Sequence, residues 1–337
     1  MEFAIHQEIP LPVFALAATM GAVANKTNFC TMGAVSDWIN MGDKGRLRAW
    51  LRYLLGGLMF GIGMTLASGC GNKTLIRIGG GNIKSLVVLI IASTMAYFML
   101  WSDFYSIAFD SWMGPLAVNL TKFGAKSQTL DGILGGIAGM DNTATLHLAI
   151  TALAVVALAG FVFASADFRG NFDNILGGVV IGFVVVAGWY LTGSALGVEW
   201  KEWAEMADTP PSRVEVQSFT FSPMGDSVRY LLDPTNFSLI NFGIAALAGV
   251  IVGSFLYSVL TGKFRIEWFV NAGDFANHAV GAVLMGVGGV LSMGCTVGQA
   301  ITGVSTLAVG SMLTFAAIVA GAAGTMKYQY WKMMREA

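Results

Sequence analysis

Cys30, Cys70 and Cys295 are the only thiols in this chain of 337 residues. None belongs to a CxxC pair, and no His stands at metal-ligand spacing from any of them. A zinc site and a thioredoxin-type dithiol are therefore not expected. Two of the three follow glycine, in Ser68-Gly69-Cys70-Gly71 and Gly294-Cys295-Thr296. Polar residues come next in both places: Asn72, Lys73 and Thr74 after the first, Thr296, Gln299 and Thr302 after the second. Most are hydrogen-bond donors within two helical turns of a glycine. That is the chemistry of an anion site. The bland alternatives are hydrogen bonds between helices and snorkelling of Lys73. A lone Cys in an apolar helix is usually a small hydrophobe, and recurrence of Gly-Cys is what sets Cys70 and Cys295 apart. His147 and His278 stand alone in apolar runs and read as core residues.

The elements that must position these residues are apolar. Charged residues make up 12% of the chain and hydrophobic residues 55%, against roughly 25% charged in a soluble domain. Mean hydropathy is +0.67. No Asp, Glu, Lys or Arg occurs from Tyr53 to Asn72, Ser85 to Ser102, Asn142 to Ala166, Asn174 to Val198 or Thr235 to Gly262. Phe275 to Met326 is also free of them and is long enough for two spans of roughly 20 residues. Hydrocarbon admits only helices and closed barrels, and continuous rather than alternating apolar runs select helices. The expectation is an all-α integral membrane protein with about nine membrane helices, some short or half-spanning. Ile9 to Asn25 and Gly132 to Met140 are the weak segments. A net charge of -1 gives no support for nucleic-acid binding.

Gly56 to Cys70 (GGLMFGIGMTLASGC) aligns without a gap on Gly281 to Cys295 (GAVLMGVGGVLSMGC). Identities fall at Gly56/Gly281, Gly61/Gly286, Gly63/Gly288, Leu66/Leu291, Gly69/Gly294 and Cys70/Cys295. Glycine is frequent in membrane helices, where it lets backbones approach, so shared composition is one explanation. The fixed spacing ending in Cys favours a duplicated fold with a site where discontinuous helices meet. One transmembrane domain over 1–337 is expected, with related halves at about 1–105 and 235–337 and a variable middle at about 106–234. The repeats could be inverted or parallel.

Each Gly-Cys element interrupts an apolar run, so two half-helices are expected to meet in the interior. Gly69, Gly71 and Gly294 would supply backbone freedom. The N-terminus of each second half-helix would present N–H groups to an anion. The N-terminus MEFAIHQEIP has no basic region before its first apolar run and does not read as a cleaved signal peptide. Lys327, Lys332 and Arg335 place the C-terminus in the cytoplasm. Lys44, Arg46, Arg48 and Arg52 favour an inside loop before the second span. Glu199 to Asp233, with seven acidic residues, one Lys and two Arg, reads as an external, partly irregular loop.

NFCTMGAVSDW at Asn28 to Trp38, GGLMFGIGMTLASGCGNKT at Gly56 to Thr74, and FRIEW followed by GAVLMGVGGVLSMGCTVGQAITG up to Gly303 resemble the YeeE/YedE family of sulfur-compound transporters. The resemblance covers both ends of the chain, while about 104 to 235 matches only as a hydrophobic pattern. It implies a bacterial inner-membrane permease without a cofactor, and thiosulfate as substrate. Cys30, Cys70 and Cys295 would be the functional cysteines. Some relatives look linked to selenium or other sulfur species, and small cytosolic sulfur-carrier proteins are implied as partners. The chain departs from the family pattern after Cys70, where Gly71-Asn72-Lys73 replaces a small residue and Thr or Ser.

Thiosulfate is a dianion with a soft terminal sulfur, and charge in hydrocarbon is costly. Backbone N–H groups with Asn72 and Gln299 could supply the donors. A thiol, a weak donor, can face a large polarizable sulfur. Three thiols along a path would give successive weak sites, which conduction needs. They are expected to stay protonated, because a thiolate repels the dianion. The rivals are a membrane sulfurtransferase, which lacks a base beside any Cys apart from Lys73, and a general anion channel.

Overall fold

The computed structural model describes residues 9–27, 50–113, 129–130, 143–207, 211–220 and 224–336. The regular structure there is helical, apart from two isolated β-bridges. Cys30 with its motif, the Lys44 to Arg48 cluster and Gly132 to Met140 lie outside the described residues.

In chain order the helices are α1 (Pro10–Thr27), α2 (Trp50–Leu66), α3 (Gly71–Gly79), α4 (Ile83–Trp101), α5 (Thr143–Ala164) and α6 (Phe172–Gly193). They continue as α7 (Ala195–Met206), α8 (Met224–Leu232), α9 (Phe242–Leu260), α10 (Ala272–Leu291), α11 (Thr296–Ala300) and α12 (Val309–Glu336). Asparagine starts four of the long ones. The side chains of Asn82, Asn171, Asn241 and Asn271 accept from the backbone N–H of Ser85, Asp173, Ile244 and Asp274 at 2.8, 3.0, 3.0 and 2.8 Å. Each bond satisfies a donor that an apolar helix end would leave open.

Seven stretches among the described residues are long and apolar enough to cross a membrane. Two of them, Arg52–Gly79 and Ala272–Ala300, contain the Gly-Cys elements, so each break lies inside a span. The seven compare with the expected nine because α1 carries only a shorter apolar stretch, Pro10–Met20, and Gly132 to Met140 is not described.

Glycine lets the central helices touch backbone to backbone. A Cβ on Gly63 would lie 2.6 Å from the Gly281 carbonyl oxygen, and one on Gly288 would lie 2.8 Å from that of Gly56, so α2 and α10 cross in van der Waals contact. Gly61 seats α2 on α12 against Ile318, and Gly286 seats α10 on α4 against Ala92. Gly249 and Gly253 bring α9 onto Phe14 and Ala18 of α1. Around this centre the surface is apolar: Leu148, Val156 and Phe161 of α5 are exposed, as suits helices whose solvent is lipid.

The polar segment Glu199 to Asp233 is helical towards both ends, in α7 and α8. Its middle is irregular, but Gln217, Ser218, Phe219 and Thr220 are buried. Ser218 Oγ donates to the Val185 carbonyl at 2.7 Å. Thr192 Oγ1 accepts from Gln217 N–H at 2.9 Å and donates to the Gln217 carbonyl at 2.6 Å. The Phe219 ring packs 5.2 Å from that of Phe242. The Thr192 hydroxyl on α6 thus satisfies the Gln217 backbone, and Ser218 bonds back to α6, which lets this non-helical segment enter the core.

Candidate functional site

α2 and α10 end in the same way. Gly69 N–H donates to the Met64 carbonyl at 2.8 Å and Ser68 N–H to that of Thr65 at 3.2 Å. Gly294 N–H donates to Gly289 at 2.9 Å and Met293 N–H to Val290 at 3.0 Å. Both pairs form the Schellman arrangement that closes a helix C-terminus. The left-handed residue is Ser68 (φ 59°) at one break and Met293 (φ 55°) at the other. This corrects the expected role of the two glycines that precede the cysteines. Gly69 and Gly294 are not left-handed; they provide space. A Cβ on Gly69 would meet the Lys73 side chain at 3.1 Å, and one on Gly294 would meet Gln299 Nε2 at 2.5 Å. The side chain of the next turn folds back over each break.

Cys70 and Cys295 then turn the chain into the next helix with extended backbone, ψ 172° and -174°. Both are buried, at 2% and 1% exposure. The Cys70 carbonyl accepts from Thr74 N–H at 2.9 Å, and that of Cys295 from Gln299 N–H at 2.8 Å. The helices that follow differ. α3 runs nine residues, with the amides of Gly71, Asn72 and Lys73 at its head. α11 runs five, and its Gly298 N–H donates to Cys295 Sγ at 3.1 Å. A half-helix with a directed N-terminus therefore exists after Cys70, while after Cys295 the sulfur itself takes up an amide.

Both breaks border one cavity. Gly71 and Thr74 line it from the first and Cys295 from the second, with Phe60, Met224 and Met285 closing the sides. Its volume of about 20 Å³ is water-sized, its walls are almost wholly apolar, and it is too small for a multi-atom oxyanion. Three buried polar atoms of the predicted residues, Asn72 Oδ1, Thr296 Oγ1 and Gln299 Oε1, have no hydrogen-bond partner among the described residues. An unpaired buried polar atom costs about 1–3 kcal/mol and marks a place where a water or ligand is needed. Gln299 Nε2 donates to the Ser292 carbonyl, which fixes its amide with Oε1 turned away.

Two residues not expected from the sequence join the site. Arg77 Nη1 donates to the Ser68 carbonyl at 2.9 Å, so a second cation stands over the first break. Its sequence signal is its place four residues after Lys73, hence on the same face of α3. Thr220 Oγ1 lies 3.9 Å from Cys295 Sγ. The alternation in Val214 to Phe221 (VEVQSFTF) is an extended-chain signal inside a polar segment. Thr302, which follows α11, donates to the Phe219 carbonyl at 3.2 Å and ties that segment to the second break. His278 is buried with Nδ1 2.8 Å from the Asp274 carbonyl oxygen, in keeping with a core role. No group of His, Cys, Asp and Glu that could hold a metal ion occurs among the described residues.

Residues 18–324 match the sulphur transport family. Over 272 residues the chain is 24% identical to a protein of Spirochaeta thermophila named thiosulfate transporter TsuA, which covers 77% of this chain and 72% of that protein. Over 260 residues it is 25% identical to the thiosulfate transporter TsuA of Escherichia coli, covering 74% and 66%. The chain thus spans roughly two thirds of the length of these relatives. With the family match running over most of its length and through both Gly-Cys breaks, the chain belongs to the sulphur transport (YeeE/YedE) family, whose role is transport and not catalysis.

Proposed function

We propose that this protein is a permease that carries thiosulfate, or a related inorganic sulfur anion, into the cytoplasm along a path lined by Cys30, Cys70 and Cys295. The observation that carries the reading is the pair of buried thiols at matching helix breaks, with both breaks bordering one cavity. Proteins named as thiosulfate transporters at 24% and 25% identity support the substrate. The path would run past Gly69, Gly71, Asn72 and Lys73 at one break and Gly294, Thr296 and Gln299 at the other.

The architecture in this reading is two related halves, about 1–105 and 235–337, around a variable middle. It is supported by the contacts of the repeated glycines: Gly63 meets Gly281 as Gly288 meets Gly56, and Gly61 meets α12 as Gly286 meets α4. The membrane is the bacterial inner membrane, with the C-terminus in the cytoplasm.

The cavity is too small for a multi-atom anion, so in this reading an anion passes only when the breaks move. The energetics set a further condition. Bringing one negative charge in against an inside-negative potential costs about 2.3 kcal/mol per 100 mV, so a dianion costs about twice that. Net uptake then needs a coupling ion or rapid removal of the anion inside, and a small cytosolic sulfur-carrier protein would provide removal.

Uptake of thiosulfate, sulfate and selenite in cells lacking other permeases, with each Cys changed to Ala and to Ser, tests this. Thiosulfate uptake should fall by about tenfold or more in Cys70→Ala and Cys295→Ala, as loss of one needed contact implies. Sulfate has the same charge without the soft sulfur. Equal transport of both anions would defeat the role given to the thiols.

A further inference from the structure

We infer that Thr220 is the positioning residue for the Cys295 sulfur: its hydroxyl, with the Gly298 amide, holds that sulfur at the cavity that Cys295 lines. This rests on the reading of Cys295 as a path residue.

The sulfur receives Gly298 N–H at 3.1 Å and faces Thr220 Oγ1 at 3.9 Å, within the range of a hydroxyl–sulfur hydrogen bond. A thiol has one proton to give and accepts weakly. The two contacts fix where the sulfur sits, and Cys295 forms part of the cavity wall. The closeness is specific. A Cβ at position 298 would lie 2.3 Å from Thr220 Oγ1 and 3.6 Å from Cys295 Sγ, so only glycine lets the three groups meet.

Thr220 is also held to its place. The segment before it is tied to α6 through Ser218 and Thr192, and Phe219 is tied to Thr302 just beyond α11. Thr220 itself is 1% exposed. The helical threonines Thr65, Thr94, Thr261, Thr314 and Thr325 each donate to the carbonyl four residues earlier, the usual way to satisfy a hydroxyl in a membrane helix. Thr220 instead stands in a non-helical segment, with its hydroxyl against a sulfur.

The test is protection of individual cysteines from N-ethylmaleimide by thiosulfate, read peptide by peptide with mass spectrometry on the reconstituted full chain. Thr220→Val keeps the shape and removes the hydroxyl; Thr220→Ser keeps the hydroxyl and removes the methyl. Thr220→Val should raise the thiosulfate concentration that half-protects Cys295 by about tenfold, the worth of one hydrogen bond. Thr220→Ser should stay within about twofold of the unaltered protein, and protection of Cys70 should be unchanged in both. Gly298→Ala, which pushes the hydroxyl away from the other side, should behave as Thr220→Val. The inference is overturned if Thr220→Val protects Cys295 normally, if Thr220→Ser is as impaired as Thr220→Val, or if Cys70 shifts equally, since that is what a packing role would do. Absence of thiosulfate protection at Cys295 in the unaltered protein would instead bring down the path reading, and this inference with it.

Discussion

The two Gly-Cys breaks share a backbone and differ in what surrounds it. Both close a helix with the same pair of hydrogen bonds, put one non-glycine residue at positive φ, and turn on a buried cysteine. At the first, Ser68 is exposed, Lys73 lies over Gly69, and Arg77 holds the Ser68 carbonyl. At the second, Ser292 and Gly294 are buried, no charged residue stands between Asp274 and Lys327, and the sulfur is met by an amide and a hydroxyl. One backbone device thus serves two chemical settings. On the proposed reading, the first break would add charge to its thiol, whereas the second would meet the anion with neutral groups alone.

If the shared frame is what makes the breaks equivalent, the largest effect should come from disturbing it on either side. Gly63→Leu and Gly288→Leu each force a side chain into a backbone at under 3 Å. Both should abolish the folded species in gel filtration of solubilised protein, since overpacking costs about 1–3 kcal/mol even where a core can adjust, and here the obstacle is main chain. Normal assembly of one variant would mean that the two sides of the α2–α10 contact are not equivalent.

A smaller effect should separate the settings. Arg77→Met removes the second cation from the first break. Uptake of thiosulfate and of sulfate should then fall together, by about tenfold, because a charge contact ignores the soft sulfur. A loss confined to thiosulfate would mean that Arg77 does not act through charge and would remove the contrast between the two settings. Next in size is Gln299→Leu, which leaves the Ser292 carbonyl and the fold-back over Gly294 without their amide. It should lower stability by about 1–3 kcal/mol, the cost of a buried acceptor left open. Thermal unfolding of solubilised protein measures it, and an unchanged midpoint would mean that water takes the amide's place.

What was legible in the sequence follows from which forces act locally. Long charge-free runs report burial in lipid directly, so the helical membrane class and the position of both breaks could be read from Tyr53 to Asn72 and Phe275 to Met326. The glycines before the cysteines were misread because a Gly in a break suggests positive φ, whereas Lys73 and Gln299 folding back was a matter of side-chain direction that spacing does not give. Thr220 was hidden for a different reason. Seven acidic residues from Glu199 to Asp233 argue for exposure on average, but Gln217 to Thr220 form a short buried piece whose backbone is satisfied by Thr192 on another helix. Averages over a segment cannot report a long-range hydrogen bond.

The smallest expected effect tests the same comparison at the left-handed residues. Ser68 and Met293 occupy a conformation that costs an L-residue roughly 1–2 kcal/mol, and glycine would relieve it at either place. The surroundings decide the sign of the net change. Ser68 is exposed, so Ser68→Gly gives up little packing and should stabilise by about 1 kcal/mol. Met293 is half-buried, and its sulfur lies 3.8 Å from the Tyr53 hydroxyl. Removing that side chain forfeits part of the roughly 1.5–3 kcal/mol that full burial of a methionine provides, which offsets the relief. Thermal unfolding should therefore rise in Ser68→Gly and stay level or fall in Met293→Gly. Equal rises would mean that the second break is no better packed than the first, and the contrast between an open charged break and a buried neutral one would lose its structural basis.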